Sequence, residues 1–105
     1  MFDIIIRNGK VIDGTGSPWT KLDVAIKDGK IVQMGKHIQG DVEETIDASG
    51  MFVCPGFIDT HVHSDLLCTD ASLHQIKLKQ GVTTELFGQD GISVAPVSSQ
   101  TKQLW

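Results

Sequence analysis

The sequence predicts a mixed chain, with a β-rich first half followed by an α/β second half. Three observations predict it. Short apolar runs separated by Asn-Gly, Asp-Gly and Ser-Gly pairs fill residues 1–54. After Pro55-Gly56 the pattern becomes strand, helix, strand within about 30 residues, the mark of a βαβ unit with parallel strands. The whole chain has 105 residues, far fewer than the roughly 250 of a complete (β/α)8 barrel.

Taken in order, Phe2 to Arg7 alternates, with Phe2, Ile4 and Ile6 on one face and Ile5 on the other. Asn8-Gly9 separates that run from Lys10-Val11-Ile12, and Asn-Gly between two apolar runs predicts a type I′ hairpin turn. Asp13 to Pro18 is a loop by composition. A second hairpin is expected where Leu22, Val24 and Ile26 alternate with polar or small neighbours, Asp28-Gly29 turns, and Ile31 to Met34 returns. Lys36 to Glu44 is polar and predicts a surface loop. Thr45-Ile46-Asp47 and Met51-Phe52-Val53-Cys54 predict short strands, the latter stopped by Pro55-Gly56. Short strands at intervals of roughly 8–12 residues predict an antiparallel sheet or sandwich.

In the second half, Phe57 to Val62 reads as an apolar strand. Asp70 suits a helix N-cap, Leu73 and Ile76 lie one turn apart on the helix, and Gly81 suits the left-handed position after it. Val82 to Phe87 is the next strand, and loop chemistry follows from Gly88.

Composition excludes several functions. A formal charge of −4, with no Lys/Arg cluster, leaves no footprint for nucleic acid. Near the start the longest aliphatic run is Ile4-Ile5-Ile6, which is no membrane helix, and the Met1-Phe2-Asp3 opening lacks the regions of a secretory signal. Two cysteines, Cys54 and Cys68, make no disulfide framework, so a reducing, cytoplasmic setting is expected.

The sharpest chemical feature is His61-Val62-His63. Residues two apart on a strand share a face, so two imidazoles at its end can reach one metal ion, with Asp59 on the same face by parity and Ile58, Thr60 and Val62 on the other. The C-terminal ends of parallel strands are where such folds carry their sites. A metal needs a third ligand, and Asp65, Asp90 and the cysteines are candidates. Asp90 lies in Gly88-Gln89-Asp90-Gly91, after the second parallel strand and so at the equivalent edge, although a plain turn is the more common use of an Asp-Gly pair. His37, in a loop, and His74, on the helix, read as surface histidines.

These residues resemble a known family. Pro55-Gly56-Phe57-Ile58-Asp59-Thr60-His61-Val62-His63-Ser64-Asp65 is similar to the first-strand motif of the metal-dependent amidohydrolase superfamily. The opening Asp3 to Gly14, and Asp28-Gly29-Lys30-Ile31, resemble the same proteins. Gln80 to Glu85, continuing through Gly88-Gln89-Asp90-Gly91 to Ala95-Pro96, resembles the D-aminoacylase branch, the N-acyl-D-amino-acid deacylases.

The resemblance implies that residues 1–54 are the N-terminal share of a small β-sandwich. It implies that residues 55–105 open a TIM-like (β/α)8 barrel, here only its first one or two β/α units. It implies hydrolysis of an amide in a small-molecule N-acyl-D-amino acid, with one or two zinc ions at the barrel mouth. His61 and His63 match the first-strand metal ligands. Asp90 stands where many relatives have a ligating cysteine, a softer donor than carboxylate. Cys54 and Cys68 are left with structural roles, Cys54 as a small buried hydrophobe. The family's general acid/base is expected beyond Trp105, so the 105-residue chain is expected to be an inactive N-terminal fragment. The alternative is a non-catalytic β-rich module that binds metal or self-associates through exposed sheet edges.

Overall fold

The computed structural model describes residues 1–65, 70–93 and 95–100. The chain divides into two compact units, Met1–Pro55 and Gly56–Trp105. Among the described residues no helix is long and apolar enough to cross a membrane.

The first unit is a five-stranded mixed sheet organised on β1 (Phe2–Val11). On one side β2 (Thr20–Lys27) runs antiparallel to it, and β3 (Lys30–Gly35) runs antiparallel to β2. On the other side lie β4 (Val42–Asp47), beside Phe2–Arg7, and β5 (Phe52–Val53), beside Lys10–Val11, both parallel to β1. The Asp28-Gly29 hairpin forms as expected, with φ of 50° and 69° at its two residues, the left-handed pair a type I′ turn needs.

The Asn8-Gly9 hairpin does not form. Pairing with β2 steps from Ile6↔Val24 to Gly9↔Leu22, so β1 runs straight on and absorbs one extra residue as a bulge, with Asn8 at φ 62°. Asn-Gly supplies the same left-handed freedom to a turn or to a bulge. Here the strand stays extended because its far half is held from both sides, by β2 and by the bonds from Lys10 N–H to Met51 O and from Ile12 N–H to Val53 O. The extra residue also inverts the faces. Val11 now shares the side of Ile4, Ile6 and Val24, not that of Ile5. Gly9 has no room for a side chain, since a Cβ there would lie 2.5 Å from Val53 Cγ2.

The expected antiparallel sheet is thus corrected to a mixed one, and the topology shows why. β3, twice reversed, points the same way as β1, and so does β4 on the opposite edge. The connection from Gly35 to Val42 must therefore cross the sheet rather than hairpin back. That crossing corrects a second expectation, because residues 36–41 are not all surface. Ile38 is buried with Ile5 and Ala25, and Phe2 and Val42 pack against this core. Cys54 is exposed, contrary to expectation: β5 ends at Val53, and nothing carries Cys54 into the core. Cys68 lies outside the described residues.

Asp23 ties this unit together. It is 5% exposed. It accepts the Asn8 N–H of the bulge (3.0 Å), the Ile38 N–H of the crossing segment (3.1 Å) and the Arg7 guanidinium (3.1 Å). Arg7 also donates to the Ile38 carbonyl. Burial pushes the Asp23 carboxyl up, but the two backbone N–H groups and Arg7 together outweigh it and hold the group below the usual carboxylate range.

The second unit is β6 (Phe57–Asp59), α1 (Ala71–Leu78) and β7 (Val82–Glu85), with β6 and β7 paired in parallel. Asp70 caps the helix by accepting Ser72 N–H, and Gly81 has φ 85°, as expected. β6 stops three residues before the expected Val62. There the Asp59 side chain accepts the His61 N–H (3.3 Å), diverting a donor the ladder would have used.

Two stability measurements follow. Gly9→Ala should destabilise the chain by about 1–3 kcal/mol in urea unfolding, with Val53→Ala in the same background recovering part of the loss. Asp23 has a lowered native pKa, so its contribution is complete above the unfolded value near pH 3.9 and is lost as pH falls through the lower native one. Stability between about pH 6 and about pH 2 should decline less steeply in Asp23→Asn than in the wild type.

Candidate metal centre

Parallel pairing puts the C-terminal ends of β6 and β7 side by side, with Asp59 opposite Glu85. The chain leaves β6 through His61-Val62-His63 and leaves β7 toward a short 3-10 turn, Gln89–Gly91. Although the strand has ended, the alternation continues: Val62 is buried, 4% exposed, while His61 and His63 are exposed. Their rings lie 5.3 Å apart between centroids, edge to face at 73°.

Asp90 converges on both. Its Oδ2 lies 3.0 Å from His61 Nε2 and 3.1 Å from His63 Nε2. Asp90 sits in the left-handed region at φ 54°, two residues after Gly88 at φ 83°. The Asp-Gly pair therefore serves a turn, and that turn aims the carboxylate at the imidazoles. One ligand atom from each residue lies within 4.8 Å of the others.

The donor set suits a divalent ion. A tetrahedral ion with bonds of about 2.0–2.1 Å spaces its donors roughly 3.3 Å apart, close to the two nitrogen–oxygen separations seen here. Two imidazoles and a carboxylate are donor types that zinc accepts. The side chains are 60% (His61), 47% (His63) and 63% (Asp90) exposed.

Other candidate ligands fall elsewhere. Asp59 points away from the group, onto Lys77 Nζ at 3.0 Å. Asp65 is buried and accepts the Gly88 N–H (3.0 Å), taking no place in the group. Cys54 belongs to the first unit. His37 is exposed, as expected, whereas the side chain of His74 lies outside the described residues.

Sequence reading did not single out Lys77, on the helix. Lys77 forms ion pairs with both Asp59 and Glu85, and Glu85 also accepts Ser64 Oγ–H at 3.0 Å. Glu85, then Asp59, push the Lys77 ammonium above its usual range, and Lys77, followed by the His61 N–H, holds Asp59 below the carboxylate range. The signal was available. Two carboxylates ending two paired strands repel unless a cation lies between them, and the connecting helix offered one.

Comparison with known proteins shows what the chain is similar to. Residues 44–102 match the Amidohydrolase family, and residues 1–57 match the urease alpha-subunit N-terminal domain. An N-acyl-D-glutamate deacylase from Alcaligenes xylosoxydans xylosoxydans is 40% identical over 94 residues, 90% of this chain and 19% of that protein. An adenine deaminase from Bacillus subtilis (strain 168) is 39% identical over 99 residues, 93% of this chain and 16% of that protein.

Among solved structures, D-aminoacylase, studied for the functional role of its binuclear metal center, superposes with a TM-score of 0.85 at 39% identity, over 92% of this chain and 20% of that one. The N-acyl-D-glutamate deacylase of Bordetella bronchiseptica, complexed with zinc and a phosphonate inhibitor, gives 0.83 at 40% identity, over 91% and 20%. The chain thus spans about a fifth of the length of the relatives it matches. The Amidohydrolase match covers more than half of the chain and takes in His61, His63 and Asp90 together; this chain belongs to the amidohydrolase family.

Proposed function

We propose that these residues form the metal-binding opening of a zinc-dependent hydrolase that cleaves the amide bond of N-acyl-D-amino acids, releasing a carboxylic acid and a D-amino acid. The observation that carries this is the convergence of His61, His63 and Asp90 on one point, in a chain about 40% identical to an N-acyl-D-glutamate deacylase. Residues 1–54 would belong to a β-sandwich, and residues 55–105 would open a (β/α)8 barrel.

A bound ion supplies Lewis acidity toward an amide carbonyl and toward water. The chain's own residues hold and orient it. Each imidazole offers Nε2 as a neutral donor, which leaves its proton on Nδ1. Asp90 adds a negative charge and a hard oxygen donor. Lys77, paired with Asp59 and Glu85, engages those two carboxylates so that they do not compete for the ion. All three residues of the group are occupied as ligands in this reading, so none is free to move a proton. The resemblance to the family implies that the proton-transfer group lies beyond Trp105.

The adenine deaminase match favours a second reading, amidine hydrolysis on a purine, and a chimaera separates the two. This chain would replace the matching part of either an N-acyl-D-glutamate deacylase or an adenine deaminase. Deacylase turnover restored in the first host, and lost again with His63→Ala, is the expected result. Activity in the deaminase host alone would overturn it. The 105-residue chain by itself should take up zinc and give no turnover of N-acetyl-D-methionine.

Asp90→Gly separates the ligand from the turn. Glycine suits the left-handed backbone at this position, so unfolding free energy should stay within about 1 kcal/mol of wild type or rise. Zinc uptake, read by calorimetry, should fall about as far as in His61→Ala.

A further inference from the structure

His61, His63 and Asp90 all lie on irregular backbone, beyond the ends of β6 and β7. No ladder sets their spacing, yet a metal site needs its donors placed to within about 0.5 Å. Among the described residues, three hydrogen bonds outside the ligand group join the two segments. Leu86 N–H donates to the Asp59 carbonyl (2.9 Å), Ser64 Oγ–H to Glu85 Oε2 (3.0 Å), and Gly88 N–H to Asp65 Oδ1 (3.0 Å). The third is the one nearest Asp90, and it joins a residue two after His63 to a residue two before Asp90.

We propose that Asp65 is a positioning residue of the metal group: its carboxylate grips the Gly88 N–H and so fixes the turn that presents Asp90 to His61 and His63. This rests on reading those three residues as metal ligands. Gly88 is the pivot of the turn. At φ 83° and with no side chain, it has nothing of its own to anchor it, and rotation there swings Asp90 off the imidazoles. The Asp65 bond supplies the anchor. Asp65 is 2% exposed, and its other oxygen, Oδ2, is buried with no hydrogen-bond partner among the described residues. A buried carboxylate that satisfies only one oxygen is a costly way to fill space. The bond it does make joins the two ligand loops.

The test uses Co2+ as a spectroscopic probe on the 105-residue chain. Its visible d–d bands report both binding and coordination. Asp65→Ala, with Asp65→Leu as a space-filling second version, removes the acceptor; whichever keeps the wild-type circular dichroism spectrum is read. Asp65→Asn keeps an Oδ1 that can accept the Gly88 N–H and removes the charge. The expected result is a loss of Co2+ affinity of about 10- to 100-fold in the variant lacking the acceptor. Its bands should be weaker and altered, like those of Asp90→Gly, while Asp65→Asn remains close to wild type. If the variant lacking the acceptor binds Co2+ as the wild type does, the positioning role is overturned and the metal reading stands. Loss in Asp65→Asn equal to that in Asp65→Ala overturns it too, by showing that charge rather than the bond matters. Failure of the wild type to bind, or its indifference to His63→Ala, overturns both.

Discussion

The candidate site depends on one constraint, the parallel pairing of β6 and β7. Parallel strands end on the same side, so whatever the chain carries beyond each end is delivered to a common edge. His61 and His63 leave one strand there, and Asp90 leaves the other; antiparallel strands would have sent them to opposite edges. The three residues converge without lying on the sheet. The strands set the direction, and a few loop bonds set the distance.

That pairing carries an electrostatic cost, and Lys77 offsets it. Asp59 and Glu85 sit in register at the strand ends, where two like charges repel. The helix that makes the parallel crossover also brings in the cation that neutralises them. Raised Lys77 and lowered Asp59 pKa values are two views of this one arrangement. With these two carboxylates engaged by Lys77, and Asp65 turned to Gly88, Asp90 is the acid in the described part of this edge that faces the imidazoles.

The first unit solves a related problem. A mixed sheet needs a connection that crosses its face, and a crossing segment brings backbone N–H groups that must be satisfied where water is excluded. Asp23 satisfies two such N–H groups, one from the bulge and one from the crossing segment, and Arg7 balances its charge. A single buried acid thereby links the bulge, the crossing and β2.

Much of this was legible in the residues. Local grammar found the Asp28-Gly29 hairpin, the Asp70 cap, Gly81 after the helix, and the strand–helix–strand order. His-x-His named two of the residues that meet, and Gly-Gln-Asp-Gly offered Asp90 as one of several candidates for the third. Local rules failed where two structures make the same local demand. Asn8-Gly9 suits a turn or a bulge, and its neighbours on both sides of β1 decided for the bulge. The polar run from Lys36 concealed Ile38, which is buried only because the topology makes the chain cross there. Cys54 looked like an interior residue until the strand ended one position earlier.

The sequence by itself determined which residue types were available, where the chain could turn, and that the second half would pair its strands in parallel, because these follow from backbone preferences and from spacing along the chain. The tertiary structure alone decided the face of Val11, the burial of Asp23 and Ile38, the placing of Lys77 between Asp59 and Glu85, and the choice of Asp90 over Asp65 beside the histidines. Each of those outcomes depends on a partner distant in sequence, and a partner's position is settled only when the whole set of strands, crossings and buried charges is satisfied together.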